Sequence, residues 1–303
     1  MKAVLDRIKQ GEILVCDGAM GSLLMDRAKE HLKGTCPESI NLSHPEIIRE
    51  IAALYIQAGA DIIETNTFGG SPLKLASYSL DDKTEEINRA AILAVKNASS
   101  KNIYICASIG PSGKLLKPFG DTEPKEIYES FYRQIKVLVD AGADIISIET
   151  MTDLNEASLA VEATRNISSS IPVIVSMTYE STSRGFFTMM GTRIEVASKR
   201  LEDSGVDVIW SNCGNGIENL VLIAQEHRKH TQLPLMIQAN AGIPELREGV
   251  TVYPESPEFM AEKCNGLISI GVSIIGGCCG TTPAHIRAIR NVVDQRGKKL
   301  LKT

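Results

Sequence analysis

Aromatic residues and clusters of basic residues are scarce in this sequence. Phe, Trp and Tyr make up 5% of the 303 residues, with a single tryptophan, and the net charge is -5. Because no Lys/Arg-rich cluster is present to neutralise phosphates, we exclude nucleic acid as a partner. No apolar run approaches the roughly 20 residues of a membrane-spanning helix, so no membrane association is expected. These absences favour a chain that acts on small molecules.

The amino terminus has no signal-peptide pattern. Its first residues, MKAVLDRIKQGE, carry charges where a signal peptide has an apolar core, and we expect a cytoplasmic protein. Seven cysteines in an intracellular chain are more often free thiols or metal ligands than disulfides. Four of them have no ligand-like neighbours and are interpreted as ordinary thiols: Cys16, Cys36, Cys106 and Cys264.

The main pattern in the sequence is an internal repeat that occurs four times. The pattern of glycine, small residue, Asp or Ser, and apolar pair occurs at 59–63, 142–146, 205–209 and 271–275. Hydrophobic residues recur at helical spacing before the copies, and the glycine stands where a helix cap belongs. With 43% hydrophobic residues the chain can bury one large core. We therefore predict a single domain over residues 1–303.

Four further apolar runs lie between the repeats, at 13–16, 103–109, 173–177 and 235–237. Together they predict eight strands separated by segments long enough for a returning helix. This is the pattern of a single (β/α)8 TIM barrel, an α/β fold. An open doubly wound sheet is the alternative, and it is disfavoured because no strand is followed by a convincing GxGxxG loop.

The repeat aligns polar residues at the carboxyl ends of the strands, where barrel enzymes keep their active sites. Counting seven or eight residues on from each repeat glycine gives Asn66, Thr67, Glu149, Thr150, Asn212, Cys213, Cys278 and Cys279. The odd strands are followed by Asp17, Gly110, Pro111, Thr178 and Asn240. For Gly110, Pro111 and Gly242 a loop-forming role and a functional role stay equally open. A carboxylate such as Glu149 at this rim needs a partner to offset its desolvation.

Three cysteines of this set suggest a metal site. The stretch IIGGCCG places Cys278 and Cys279 after one strand, and SNCGNG places Cys213 after another. Three thiolates at one rim suit a zinc site with one open position, and an open position permits chemistry. A closed structural zinc would instead take a fourth thiolate from Cys16 or Cys106. Two further interpretations are a redox pair formed by the two adjacent cysteines and a catalytically idle scaffold.

Several motifs together resemble a known family. They are DGAMG at 17–21, GADIIETNTF at 59–68, GPSG at 110–113, ET at 149–150, NC at 212–213, NAG at 240–242 and GGCCGTTPAHI at 276–286. Over residues 12–290 the chain resembles the zinc-dependent homocysteine S-methyltransferases, which include the homocysteine module of cobalamin-dependent methionine synthase. The resemblance implies an enzyme that moves a methyl group from an activated donor to homocysteine thiolate, giving methionine.

The resemblance also implies roles for particular residues. The zinc ligands, catalytic through the metal, are Cys213, Cys278 and Cys279. Asn240 matches a residue that can occupy the open zinc position when substrate is absent. Asp17 and Glu149 receive the amino group of homocysteine, and backbone amides from Gly18 to Ser22 receive its carboxylate. Ser22 stands where many members have threonine, and the GNGIENL loop after the first cysteine is unusual.

Thiol chemistry agrees with a zinc cofactor. A free thiol with a pKa of about 8.5 is mostly protonated at neutral pH, although the thiolate is the nucleophile. A thiol that becomes the fourth zinc ligand loses its proton on binding, so no general base is needed. This agrees with the lack of a convincing catalytic histidine, since we interpret His44 and His285 as structural.

The methyl donor is not fixed by the sequence. Because the chain stops soon after the eighth helix, we expect no folate-binding or cobalamin-binding module, and the donor must come from elsewhere. A separate methyl-corrinoid protein is the leading candidate. A sulfonium such as S-methylmethionine, a quaternary amine such as betaine, and methylfolate delivered by a partner are the remaining candidates, with betaine disfavoured by the low aromatic content. A homo-oligomer is left open.

Overall fold

Eight parallel strands form the centre of the protein, seen in a computed structural model that describes residues 2–98, 103–247 and 250–300. They are β1 (Leu14–Val15), β2 (Ile62–Glu64), β3 (Tyr104–Ile109), β4 (Ile145–Met151), β5 (Val173–Met177), β6 (Val208–Asn212), β7 (Leu235–Ala239) and β8 (Val272–Gly277). The hydrogen-bonded order is β1-β8-β7-β6-β5-β4-β3-β2. A parallel bridge between Cys16 and Ile62 joins β1 to β2. The sheet closes on itself, which confirms the predicted (β/α)8 barrel, whereas the open doubly wound alternative is wrong.

Helices connect the strands and cover the barrel. They are α1 (Val4–Lys9), α2 (Met20–Arg27), α3 (Ile40–Ser43), α4 (Pro45–Ala58), α5 (Pro72–Leu75), α6 (Thr84–Lys96), α7 (Pro124–Ala141), α8 (Leu154–Ile167), α9 (Ile194–Asp203), α10 (Ile217–His230), α11 (Pro257–Ile270) and α12 (Pro283–Leu300). Three short 3-10 turns lie at Pro37–Ser39, Ala76–Tyr78 and Asp81–Lys83. Two hairpins, Glu180–Thr182 with Gly185–Phe187 and Glu245–Arg247 with Val250–Val252, follow β5 and β7. Residues 301–303 of the predicted domain lie outside the described residues.

The sequence repeat has a structural explanation at the amino end of the strands. Its glycines cap α4, α7 and α11 in the left-handed conformation, with φ of 104°, 94° and 84° at Gly59, Gly142 and Gly271. The aspartates of the first three copies each accept a hydrogen bond from a backbone amide of the preceding strand, at 2.8 to 3.0 Å. The first two copies thus each end a helix and fasten the next strand to its neighbour.

The core has two layers. One lies between the sheet and the helices; the other fills the barrel interior and includes Trp210, Cys16 and Cys106. Burial raises the pKa of both interior thiols well above the usual value, in agreement with their interpretation as ordinary core residues. Among the described residues, no helix has both the length and the apolar character needed to cross a membrane.

Candidate metal and substrate site

Three cysteines meet at the carboxyl end of the barrel. Cys213 directly follows β6, and Cys278 and Cys279 directly follow β8; β7 lies between these strands. The three Sγ atoms lie within 4.8 Å of one another, and those of Cys213 and Cys279 are 3.9 Å apart. All three are free, half-buried thiols. The structure therefore brings the predicted metal ligands to one point.

The backbone reaches this arrangement through unusual geometry at both strand ends. Cys213 has φ of 56°, in the left-handed region that non-glycine residues rarely adopt. Gly277 has no room for a side chain, because a Cβ there would lie 2.3 Å from Oγ1 of Thr281. That oxygen donates to the carbonyl of Cys278 (2.7 Å) and accepts from the amide of Ala19 (3.1 Å). One threonine thus joins the cysteine loop to the loop after β1.

The three thiols alter one another's acidity. Hydrogen bonds from Cys278 and Cys279 to the sulfur of Cys213 lower the pKa of Cys213 to about 3. The same contact with Cys213 raises the pKa of Cys278 well above its usual value and that of Cys279 to about 11. One thiolate is therefore stabilised by two thiols. A divalent cation bound by all three sulfurs would displace the two remaining protons.

The residues present fit a zinc ion. In a tetrahedral shell with Zn–S bonds of about 2.3 Å, the sulfurs lie about 3.8 Å apart, close to the observed 3.9 Å. Asn240 supplies a second observation, because its buried Oδ1 has no hydrogen-bond partner within the described part of the chain. Its side chain also contributes to the lowered pKa of Cys213. An unsatisfied oxygen beside three thiols suits the fourth coordination position.

The competing interpretations of the cysteines fit less well. Cys16 groups with Asp17 and Glu64 rather than with the three rim cysteines. Cys106 belongs to the cluster that fills the barrel interior. Neither thiol is placed to close a four-cysteine shell. A disulfide needs sulfurs about 2.05 Å apart, and the cysteines of the rim are free thiols.

Two buried carboxylates predicted from the sequence lie beside the thiols. Asp17 is fully buried behind Gly18 and accepts hydrogen bonds from the amide of Glu64 (3.0 Å) and the thiol of Cys16 (3.4 Å). Glu149 lines the cavity and accepts from the hydroxyl of Ser108. Burial raises the pKa of Asp17 to about 8 and that of Glu149 to about 7. An ammonium ion bound here would favour the ionised forms.

A third carboxylate, Glu64, was missed by sequence reasoning. It ends β2, and its Oε2 accepts a hydrogen bond from Nε2 of Gln238 at 3.3 Å. Its Oε1 is buried without a hydrogen-bond partner among the described residues. Burial, followed by the charges of Glu149 and Asp17, raises the pKa of Glu64 well above its usual value. The criterion used for Glu149, a carboxylate that ends a buried strand, would have found it.

The amino terminus of α2 borders the same cavity. Met20, Gly21 and Ser22 begin this helix and line the cavity, and no side chain caps the helix. First-turn amides lack intrahelical acceptors, so they form a site for a carboxylate. Ser22 also accepts a hydrogen bond from the amide of Gly280 (3.3 Å), directly after the cysteine pair. This placement agrees with the carboxylate contact predicted for 18–22.

These groups surround one cavity of about 290 Å³. Its lining includes all three cysteines, Glu64, Glu149, the start of α2 and the ring of Phe68. Asp17 and Asn240 do not line it themselves, and Asp17 directly precedes the lining residue Gly18. The cavity thus has a sulfur-rich end and a carboxylate-rich end, the chemistry that an amino acid with a thiol side chain requires.

Several polar residues that the repeat predicted at the carboxyl ends of the strands use their side chains to bond neighbouring loops. The amide of Asn66 donates to Pro37 and Asn41, and the hydroxyl of Thr67 donates to the carbonyl of Ser108. Gly110 is crowded by the ring of Phe68, and Gly242 has φ of 90°, which favours loop-forming roles for both glycines. For Pro111 both interpretations stay open.

Neither His44 nor His285 approaches the thiols. The ring of His285 bonds Thr282 and the carbonyl of Glu255 near the start of α12. The ring of His44 stacks on that of His31, with centroids 3.8 Å apart. Both histidines have the structural surroundings that the sequence predicted.

Comparisons with known proteins identify the family. The family model described as homocysteine S-methyltransferase matches residues 14–293. The methionine synthase of Mycobacterium leprae is 33% identical over 296 residues, which is 93% of this chain and 24% of that protein. The methionine synthase of Mycobacterium tuberculosis is 32% identical over 305 residues, 96% of this chain and 25% of that protein. The chain belongs to the homocysteine S-methyltransferase family, a family of methyltransferase enzymes.

A solved structure supports the fold. The homocysteine methyltransferase MmuM from Escherichia coli, in its metallated form, superposes with a TM-score of 0.78 at 22% identity, over 94% of this chain and 98% of that chain. At this identity the likeness shows the barrel alone. The chain spans about a quarter of the length of the two mycobacterial relatives. Its own reaction and partners are therefore a separate question.

Proposed function

We propose that the chain is a zinc-dependent S-methyltransferase that moves a methyl group from an activated donor to the thiolate of homocysteine, forming methionine. The observation that carries the proposal is the cavity itself, which joins three converging thiols to a carboxylate cluster and a free helix terminus. Membership of the homocysteine S-methyltransferase family supports it. We further propose that residues 1–303 act as one homocysteine-binding domain in the cytoplasm.

Each part of the cavity has a role in this proposal. The sulfurs of Cys213, Cys278 and Cys279 would hold zinc, and Asn240 Oδ1 or water would take the fourth position before substrate binds. Bound by these cysteines, zinc would keep the substrate sulfur deprotonated and nucleophilic. Asp17 and Glu149 receive the ammonium group, with Glu64 beside them, and amides at 18–22 receive the carboxylate. These contacts orient the substrate with its sulfur toward the cysteines.

Direct metal coordination of homocysteine predicts proton release. Below the free thiol pKa, coordination requires the thiol to lose its proton, while the ammonium can also displace protons from the carboxylates. We expect homocysteine to release about one proton more than its sulfur-free analogue 2-aminobutyrate. Calorimetry in buffers of differing ionisation enthalpy measures this difference.

X-ray absorption at the zinc edge provides the second readout. It should change from three sulfurs and one light atom to four sulfurs when homocysteine saturates the zinc-loaded protein. An unchanged shell of three sulfurs, together with equal proton release by both ligands, would contradict zinc activation of the substrate.

The mouth of the barrel favours a donor carried by another macromolecule. Large apolar side chains exposed on the segments that follow strands at this end include Met25, Phe68, Leu115, Phe119, Met189, Ile243 and Leu246. A small soluble donor needs no apolar surface outside the cavity, whereas a protein that presents a methyl group must bury area around it. We propose a methyl-corrinoid protein as this partner.

Substitutions in the exposed apolar residues at the barrel mouth should distinguish a protein-borne methyl donor from a small one. In Phe119→Asp and Leu246→Asp proteins, kcat/KM with a methyl-corrinoid protein should fall by about tenfold or more, because a charge is buried in the contact. Rates with free methylcobalamin, S-methylmethionine or betaine should change little. Leu222→Asp, an exposed leucine on the outer helix α10, is the matched control. If methionine forms with a small donor but not with a methyl-corrinoid protein, and neither Phe119→Asp nor Leu246→Asp alters that rate, the corrinoid partner is refuted.

A further inference from the structure

Asn212 is a buried residue to which the proposed function gives no role. It ends β6, is 2% exposed and directly precedes Cys213. Its Oδ1 accepts a hydrogen bond from the hydroxyl of Ser176 on the neighbouring strand β5. Because that bond occupies the oxygen end of the amide, the nitrogen end is turned toward different partners.

Three acceptors surround the amide nitrogen. Oγ1 of Thr150 lies 3.0 Å from Nδ2, Oε2 of Glu149 lies 3.4 Å away, and Sγ of Cys278 lies 4.0 Å away. A side-chain amide has two hydrogens to donate, so it cannot satisfy all three acceptors fully at one time. The acceptors belong to different halves of the cavity, since Cys278 is one of the thiols and Glu149 one of the carboxylates. Asn212 therefore connects the two halves.

The backbone around these contacts is strained. Thr150 has φ of 59° and Cys213 has φ of 56°. A β-branched residue at positive φ is an outlier that persists only where its surroundings hold it. Asn212 is bonded to Thr150 through its side chain and to Cys213 through the chain itself. Its orientation is thus tied to both strained positions.

We propose that Asn212 is a positioning residue that couples the metal half of the cavity to the amino-acid half, so that metal and substrate amino group strengthen each other's binding. The inference rests on the proposed function. When the three cysteines bind a metal, the sulfur of Cys278 is fixed in position, and one N–H of Asn212 is held toward it. The amide is then fixed, and its second N–H is shared by the adjacent residues Thr150 and Glu149, which holds Glu149 in place for an ammonium ion. Such linkage is reciprocal.

The test uses 2-aminobutyrate, which has the amino-acid head of homocysteine but no sulfur to reach the metal. Its dissociation constant is measured by calorimetry in metal-free and zinc-loaded protein. Zinc should tighten its binding by about fivefold or more in the parent and by a factor near one in Asn212→Ala. In Asn212→Asp, an oxygen replaces the amide nitrogen that faces Glu149 and Cys278, so zinc should no longer tighten the binding of 2-aminobutyrate. An equal factor in the parent and in Asn212→Ala would overturn the proposal.

Two further variants keep the test decisive. Ser176→Ala leaves the amide in place but removes the bond that orients it, and should at least halve the coupling factor even if Asn212→Ala does not fold. Thr178→Val is the matched control, because that hydroxyl donates to the backbone carbonyl of Asn212 (3.3 Å) and not to its side-chain amide, so its loss should leave the factor unchanged. A parent that binds neither zinc nor 2-aminobutyrate refutes the proposed function. A parent that binds both without coupling refutes this inference alone.

Discussion

Replacing Cys279 with alanine is expected to reduce the zinc content of the purified protein from about one per chain to nearly none, and to abolish methionine formation. The loss of one of three thiolates removes a direct ligand. Loss of an outer-shell partner already costs about 10- to 100-fold in metal affinity, so the loss of a ligand should cost more. Elemental analysis and competition with a chelator measure the change.

Cys264→Ala is the control for this change. Cys264 is a buried thiol on α11, in the layer between sheet and helices, and its loss should leave the zinc content unchanged. Metal-free protein should remain folded by circular dichroism, because the barrel core does not depend on the three rim thiols. Full zinc occupancy in Cys279→Ala, or unfolding on chelation, would contradict these expectations.

Replacing Glu149 with glutamine is expected to weaken homocysteine binding by about 2 to 5 kcal/mol, roughly 30-fold to several thousandfold. The change keeps the shape of the side chain and its neighbours Ser108 and Asn212. It removes the negative charge that a buried ammonium requires. Titration calorimetry on zinc-loaded protein measures the affinity, and the zinc content should not change.

Two controls isolate the amino group. The analogue 4-mercaptobutyrate, which lacks only that group, should bind the parent weakly and lose little further affinity in Glu149→Gln. Glu156 is another buried carboxylate, which accepts hydrogen bonds from the amide and hydroxyl of Ser112 outside the cavity lining. Glu156→Gln should therefore leave homocysteine affinity unchanged. Equal homocysteine affinity in the parent and in Glu149→Gln would show that the assignment is wrong.

The protonation of the carboxylate cluster affects the binding of a cationic ligand. Asp17 and Glu149 have pKa values raised by burial to about 8 and 7, so part of the cluster is protonated near neutral pH. A cationic ligand binds better when they are ionised. Measurements on parent and variant therefore need one common pH.

The sequence by itself determined the barrel and the level of the site. The recurring glycine and aspartate are local signals, since in the first copy Gly59 ends a helix and Asp61 fastens the next strand to its neighbour. Once eight parallel strands are recognised, all their carboxyl ends must lie at one end of the barrel. Counting along the repeat therefore placed Cys213, Cys278 and Glu149 at the same height.

Only the tertiary structure decided which side chains at that height meet. A count along the chain gives the height of a residue but not the direction of its side chain, so Asn66 and Thr67 were grouped with the cysteines although their polar atoms hold loops. The same limit hid the contacts of Asn212. These depend on distances between strands far apart in sequence, which closure of the sheet and packing of the loops fix.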